Sequence, residues 1–159
     1  MIPLSVADRH CSGRSSPPTG GDASSAGTLS DTLLLTPILI IEDEAMIAWM
    51  LESLFEDMGF SAITLVGSGE DALAAVAMQS PGLVISDINL GSGLDGVAVA
   101  AAIRASCPAP ILFVTGYASS DARERIARDV PGARVLRKPI QPDELRQVVV
   151  AALRPNTKH

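Results

Sequence analysis

Five side chains able to do chemistry together stand at comparable places along the chain: the acids Glu42, Asp43 and Asp87, the hydroxyl of Thr115 and the amine of Lys138. Each follows or closes a short strand-like run: Pro37–Ile41, Leu83–Ser86, Ile111–Val114 and Arg134–Arg137. Clustered carboxylates repel one another, so such a set calls for a hard cation with oxygen ligands, and Mg²⁺ suits. A carboxylate beside that cation can attack phosphorus as a nucleophile and become an acyl phosphate. The phosphoryl oxygens then need donors, which Lys138 supplies as a cation, Thr115 as a hydroxyl and the residues after Asp87 as backbone N–H groups. Any one of these acids alone reads equally well as a helix cap or turn residue. The specificity lies in the combination, and Lys138 is one of only two lysines in the chain, the other being Lys158.

The elements that must position this set can be read from hydrophobic periodicity. Pro37–Ile41 is apolar, β-branched and cut off by acids, as a buried strand is. From Glu44 to Met58, apolar residues recur at three- and four-residue spacings, a helical stripe that Gly59 stops. Strands follow over Ser61–Leu65, Leu83–Ser86, Ile111–Val114 and Arg134–Arg137. They alternate with helices over Ser68–Met78, Leu94–Ala105, Ser120–Arg128 and Pro142–Leu153. Alternating strands and helices predict an α/β fold with a doubly wound parallel sheet of five strands. Right-handed crossovers then put all strand C-termini, and with them the five reactive residues, on one edge.

Composition narrows the function. The 159 residues are 47% hydrophobic and 19% charged, enough for a filled core, and the net charge of −6 with no basic stripe argues against nucleic-acid binding. Cys11 and Cys107 form no metal or disulfide pattern, and the two histidines, His10 and His159, sit at the ends, which excludes histidine-based catalysis or metal ligation. No signal peptide or membrane span is expected, so the protein is read as cytoplasmic. Residues 1–36 are read as a flexible tail, Ser-, Gly- and Pro-rich over Cys11–Ser30, with Leu33-Leu34-Leu35 as an apolar run able to dock. Residues 37–159 form the domain. Only Arg154–His159 follow the last helix, so no output domain is expected.

The segments Ile40-Ile41-Glu42-Asp43-Glu44, Val84-Ile85-Ser86-Asp87-Ile88-Asn89, Val114-Thr115-Gly116 and Leu136-Arg137-Lys138-Pro139 resemble, in order and spacing, the receiver domain of two-component response regulators. The resemblance covers residues 37–153 and implies a flavodoxin-like sheet of strand order 2-1-3-4-5. It makes Asp87 the phospho-acceptor, with Asp43 binding Mg²⁺ directly, Glu42 through water, and Asn89 through its main-chain carbonyl. Thr115 would close on the phosphoryl group and Lys138 would pair with it, its bond to Pro139 being cis. The donor would be a histidine kinase, so the phospho-histidine sits on a partner. The chain would be no enzyme beyond catalysing its own phosphorylation and dephosphorylation. It would signal to a downstream protein through the fourth helix, fifth strand and fifth helix, or act as a phosphate sink.

Typical receivers carry Tyr or Phe where this chain has Val135, so the usual aromatic switch is missing. The run Pro110–Tyr117 resembles the "FAT GUY" subgroup, with Val114 where Ala is usual. Members of that subgroup are often stand-alone receivers and accompany kinases of the HWE or a related class. Tyr117 is expected to crowd the path of water to the phosphoryl group. Gly91-Ser-Gly-Leu-Asp-Gly96 matches G-x-G-x-x-G literally, but it follows the third strand and has no acid about 20 residues on, so it reads as loop glycines around the acceptor. Asp87-x-Asn89-x-Gly91 opens like a calcium loop but lacks its Gly and Glu. Two rivals remain: a non-phosphorylated pseudo-receiver acting as a binding module, and an aspartyl-phosphate hydrolase, which would carry Asp-x-Asp where Glu42-Asp43-Glu44 stands.

Overall fold

The computed structural model describes residues 29–91 and 93–154. The sequence expectations for Cys11, the two histidines, Lys158 and the first 28 residues of the tail lie outside the described residues. The elements run α1 (Asp31–Leu34), β1 (Ile38–Ile41), α2 (Ala45–Asp57), β2 (Ile63–Val66), α3 (Gly69–Met78), β3 (Leu83–Ser86), α4 (Gly96–Ser106), β4 (Ile111–Thr115), α5 (Ser120–Asp129), β5 (Arg134–Arg137) and α6 (Pro142–Leu153). The five strands are all parallel, in the order β2-β1-β3-β4-β5, as expected.

Side chains alternate across a strand, so each strand feeds two cores. Leu39, Ile41, Val84 and Phe113 face one way and pack with Ala72, Val97, Ile103 and Ile126 of α3, α4 and α5. Ile38, Ile40, Ile85 and Val114 face the other way and meet Leu51 and Phe55 of α2 and Leu145 and Val149 of α6. Covering both faces is why β1, β3 and β4 are apolar throughout rather than alternating. β5 lies at the edge, and of its four residues only Leu136 is buried.

Several element boundaries shift by a residue or two from the sequence reading, most at the starts of β2 and α4. β2 begins at Ile63, where its pairing with Ile38 of β1 starts. α4 begins at Gly96 rather than Leu94, because the Asp95 carboxylate caps it by accepting the Val97 and Ala98 N–H groups, both at 2.9 Å. Part of the segment read as tail is structured: Leu29 is only 6% exposed, and Leu33 and Leu34 join it on the α2–α6 core, with Leu35 left in solvent. Among the described residues no helix is long and apolar enough to cross a membrane.

Asp95 also ties α4 to α5 by receiving Arg125 on both oxygens, at 3.0 and 2.8 Å. Burial pushes its carboxyl up, but the Ala98 N–H, the Arg125 guanidinium and the Val97 N–H outweigh this and hold it below the usual aspartate range. Its stabilising contribution is therefore present above that range and lost as pH falls through the lowered value. We predict that Asp95→Ala costs about 1–2 kcal/mol in urea unfolding at neutral pH, and Arg125→Ala less than about 1 kcal/mol because that pair is half-exposed. Equal costs for the two variants would show that the cap contributes nothing of its own.

Candidate functional site

The strand order brings the ends of β1, β3, β4 and β5 to one edge, and the expected residues stand there. Glu42 follows β1 and is 3% exposed; Asp87 follows β3 and is 7% exposed; Thr115 closes β4, fully buried. Lys138 follows β5, where its N–H donates to the Thr115 carbonyl at 2.9 Å, and its bond to Pro139 is cis. The Lys138 ammonium donates to Glu42 Oε2 and Asp87 Oδ2, both at 2.9 Å, so one cation joins two acids that lie 45 residues apart in sequence.

The remaining carboxylate oxygens are held by backbone. Glu42 Oε1 accepts the Glu44 N–H and Asp87 Oδ1 accepts the Asn89 N–H, each at 3.1 Å. The buried Ser86 hydroxyl donates to the Asp87 carbonyl at 2.9 Å. Burial pushes the Glu42 carboxyl above the ordinary glutamate range, further than Lys138 and the Glu44 N–H pull it back. Burial lowers the Lys138 ammonium, but its bonds to Glu42 and Asp87 outweigh this and leave it above the ordinary lysine value. Lys138 is therefore charged at any physiological pH.

Asp43 stands apart from this triad, exposed at the mouth of the edge. Its Oδ2 lies 2.9 Å from the place a Cβ on Gly91 would occupy, so the carboxylate reaches toward the loop that follows Asp87. That loop also presents Asn89, which is exposed. Among the described residues no three acid, His or Cys side chains form a ready-made metal cage. Two carboxylates, Asp43 and Asp87, with one main-chain carbonyl nevertheless fit Mg²⁺, a cation that keeps several waters and uses few protein oxygens. Glu42 and Asp87 each place one oxygen on Lys138 and the other on a backbone N–H, so a cation held here would share those oxygens with these donors.

The structure adds what the sequence did not give. The Thr115 hydroxyl donates to the Tyr117 carbonyl at 3.1 Å, within its own loop and not to Asp87. Tyr117 is 71% exposed, and Val135 is exposed on the edge strand. Gly96, counted in the sequence both among the glycines around the acceptor and within the helix from Leu94, is the first residue of α4. A Cβ there would fall 1.8 Å from the Asp87 carbonyl oxygen. No sequence signal separates that close approach from ordinary loop glycine, whereas Ser86 is legible as a hydroxyl closing an apolar strand.

Comparison with known proteins agrees with this arrangement. The profile of one family, the response regulator receiver domain, matches residues 38–150. The phyllosphere-induced regulator PhyR of Methylorubrum extorquens is 32% identical over 121 residues, 76% of this chain and 44% of that protein. The transcriptional regulatory protein PdtaR of Mycobacterium tuberculosis is 30% identical over 126 residues, 79% of this chain and 60% of that protein. The chain spans about half the length of the curated relatives it matches. Among solved structures, the signal receiver domain of a modulated diguanylate cyclase from Desulfovibrio desulfuricans G20 superposes with a TM-score of 0.69 at 31% identity, over 75% of this chain and 94% of that one. The receiver domain of Erythrobacter litoralis PhyR gives 0.65 at 31% identity, over 75% and 90%.

Removing Lys138 would leave two buried carboxylates facing each other without a cation. Lys138→Met is expected to cost about 3 kcal/mol at pH 7.5. The deficit should shrink towards pH 5, because Glu42, already raised, takes up a proton as the pH falls and the repulsion goes with its charge. Urea melts at the two pH values check this, and a deficit independent of pH would contradict the assignment of Lys138 as the compensating charge.

Proposed function

The chain belongs to the response regulator receiver domain family, and from that premise we propose that it accepts a phosphoryl group on Asp87 from a histidine kinase. The observation that supports this best is Asp87 itself: a carboxylate buried at a strand end, with a lysine ammonium on one oxygen and a backbone N–H on the other. In the transfer an Asp87 oxygen bonds to phosphorus, the P–N bond of the partner's phospho-histidine breaks, and the imidazole nitrogen leaves and takes a proton. Mg²⁺, held by Asp43, Asp87 and the Asn89 carbonyl, would supply neutralisation of the phosphoryl oxygens. Lys138 exchanges the Asp87 carboxylate for the phosphoryl group. The Thr115 hydroxyl gives up the Tyr117 carbonyl for a phosphoryl oxygen, so phosphorylation reaches the loop after β4 through that exchange.

The same reading extends to partners. The face of α2 beside the site exposes Met46, Trp49 and Met50 at helical spacing, an apolar surface suited to docking a kinase helix. The Pro110–Tyr117 run and Val135 support the "FAT GUY" subgroup, and with it a kinase of the HWE or a related class. With Val135 in place of an aromatic, output passes by protein contact through the β4–α5 loop rather than by a ring rotating at β5.

Incubation with acetyl phosphate and Mg²⁺, followed by intact-mass spectrometry, is expected to add one phosphoryl group to the wild type and none to Asp87→Asn or to a chelated sample. Failure with acetyl phosphate and with a panel of histidine kinases would favour the pseudo-receiver instead. Tyr117→Ala is expected to shorten the lifetime of the acyl phosphate by opening the path of water; an unchanged lifetime would remove Tyr117 from that role.

A further inference from the structure

At the opposite edge of the sheet, where β4 and β5 begin, the structure holds a cavity of about 380 Å³. Three arginines line it: Arg104 from the last turn of α4, Arg134 at the start of β5 and Arg154 just after α6. Among the described residues no acid lines it, in a chain where acids outnumber bases 18 to 12. Among the described residues the ion pairs engage Arg125, Arg128 and Lys138, and none of these three arginines. Among the described residues Arg104 donates only to the Pro131 carbonyl, at 3.4 Å, while Arg134 and Arg154 are exposed and make no hydrogen bond through their side chains.

We propose that this cavity binds a small phosphorylated molecule bearing two or more phosphoryl groups, of the size of a nucleoside diphosphate. Guanidinium groups match phosphate oxygens in paired hydrogen bonds. Three of them call for more negative charge than one carboxylate brings. Val148, Ala151 and Ala152 of α6 also line it and offer apolar surface to the organic part of such a ligand. The volume falls in the range of small-ligand sites, about 300–1,000 Å³. The site lies away from the Glu42–Asp87–Lys138 edge and does not depend on phosphorylation there. Because it joins α4, β5 and α6, its occupancy would bear on the same helices from the side opposite Asp87.

Calorimetric titration of the full chain with ADP in EDTA tests this, with pyrophosphate and adenosine as separate arms. ADP and pyrophosphate are expected to bind saturably and adenosine not to bind. Arg134→Gln and Arg154→Gln should each weaken ADP by about tenfold or more. Arg104→Gln, which removes the charge, should also weaken it, while Asp87→Asn should leave it unchanged. Unliganded melting curves show that each variant is folded. No saturable binding, binding indifferent to the arginine variants, or binding abolished by Asp87→Asn would overturn the proposal. Binding of adenosine as tight as that of ADP would do the same.

Discussion

The lysine that bridges Glu42 and Asp87 is the constraint around which the reactive edge is built. Strands in a sheet lie about 4.8 Å apart, so a residue on β5 is about 10 Å from β3 and further still from β1. Only a long side chain spans that gap, and it must pass over the end of β4. The Lys138 N–H anchors the start of that reach on the Thr115 carbonyl. The two acids in turn are drawn in by backbone: each uses one oxygen for the lysine and the other for an N–H two residues on. Strand order and lysine length are thus one requirement seen from two sides.

Much of the fold was legible because burial on both sheet faces writes itself into sequence as unbroken apolar runs. β3, β5 and α6 lie where periodicity put them. α1 was not legible as a helix, since four residues with a leucine pair carry no period, and its docking depends on Leu29, Leu33 and Leu34 meeting a surface assembled from distant elements. Among the reactive residues, types and positions were readable from strand ends, but allegiances were not. That Glu42 is bound to Lys138, that Thr115 turns its hydroxyl to Tyr117, and that Asp43 stands apart are matters of rotamer and reach, which spacing along a chain does not encode.

The two edges of the sheet differ in charge. Acids gather where the strands end and arginines where β4 and β5 begin, and the same helices, α4 and α6, run between them. At the acidic edge every charge inside the triad has a partner. At the basic edge no ion pair among the described residues engages Arg104, Arg134 or Arg154, so the two ends of one scaffold differ in how their charge is balanced.

The glycine that opens α4 has a consequence for how the molecule tolerates change. With a Cβ forbidden at Gly96 by the Asp87 carbonyl, and with the Gly96 N–H bonded to the Ile88 carbonyl at 2.9 Å, the loop between them is a closed ring pinned at its neck. Variation at its neck moves the acceptor aspartate and the first turn of the helix together, so in a saturation library position 96 should be nearly silent of survivors other than glycine.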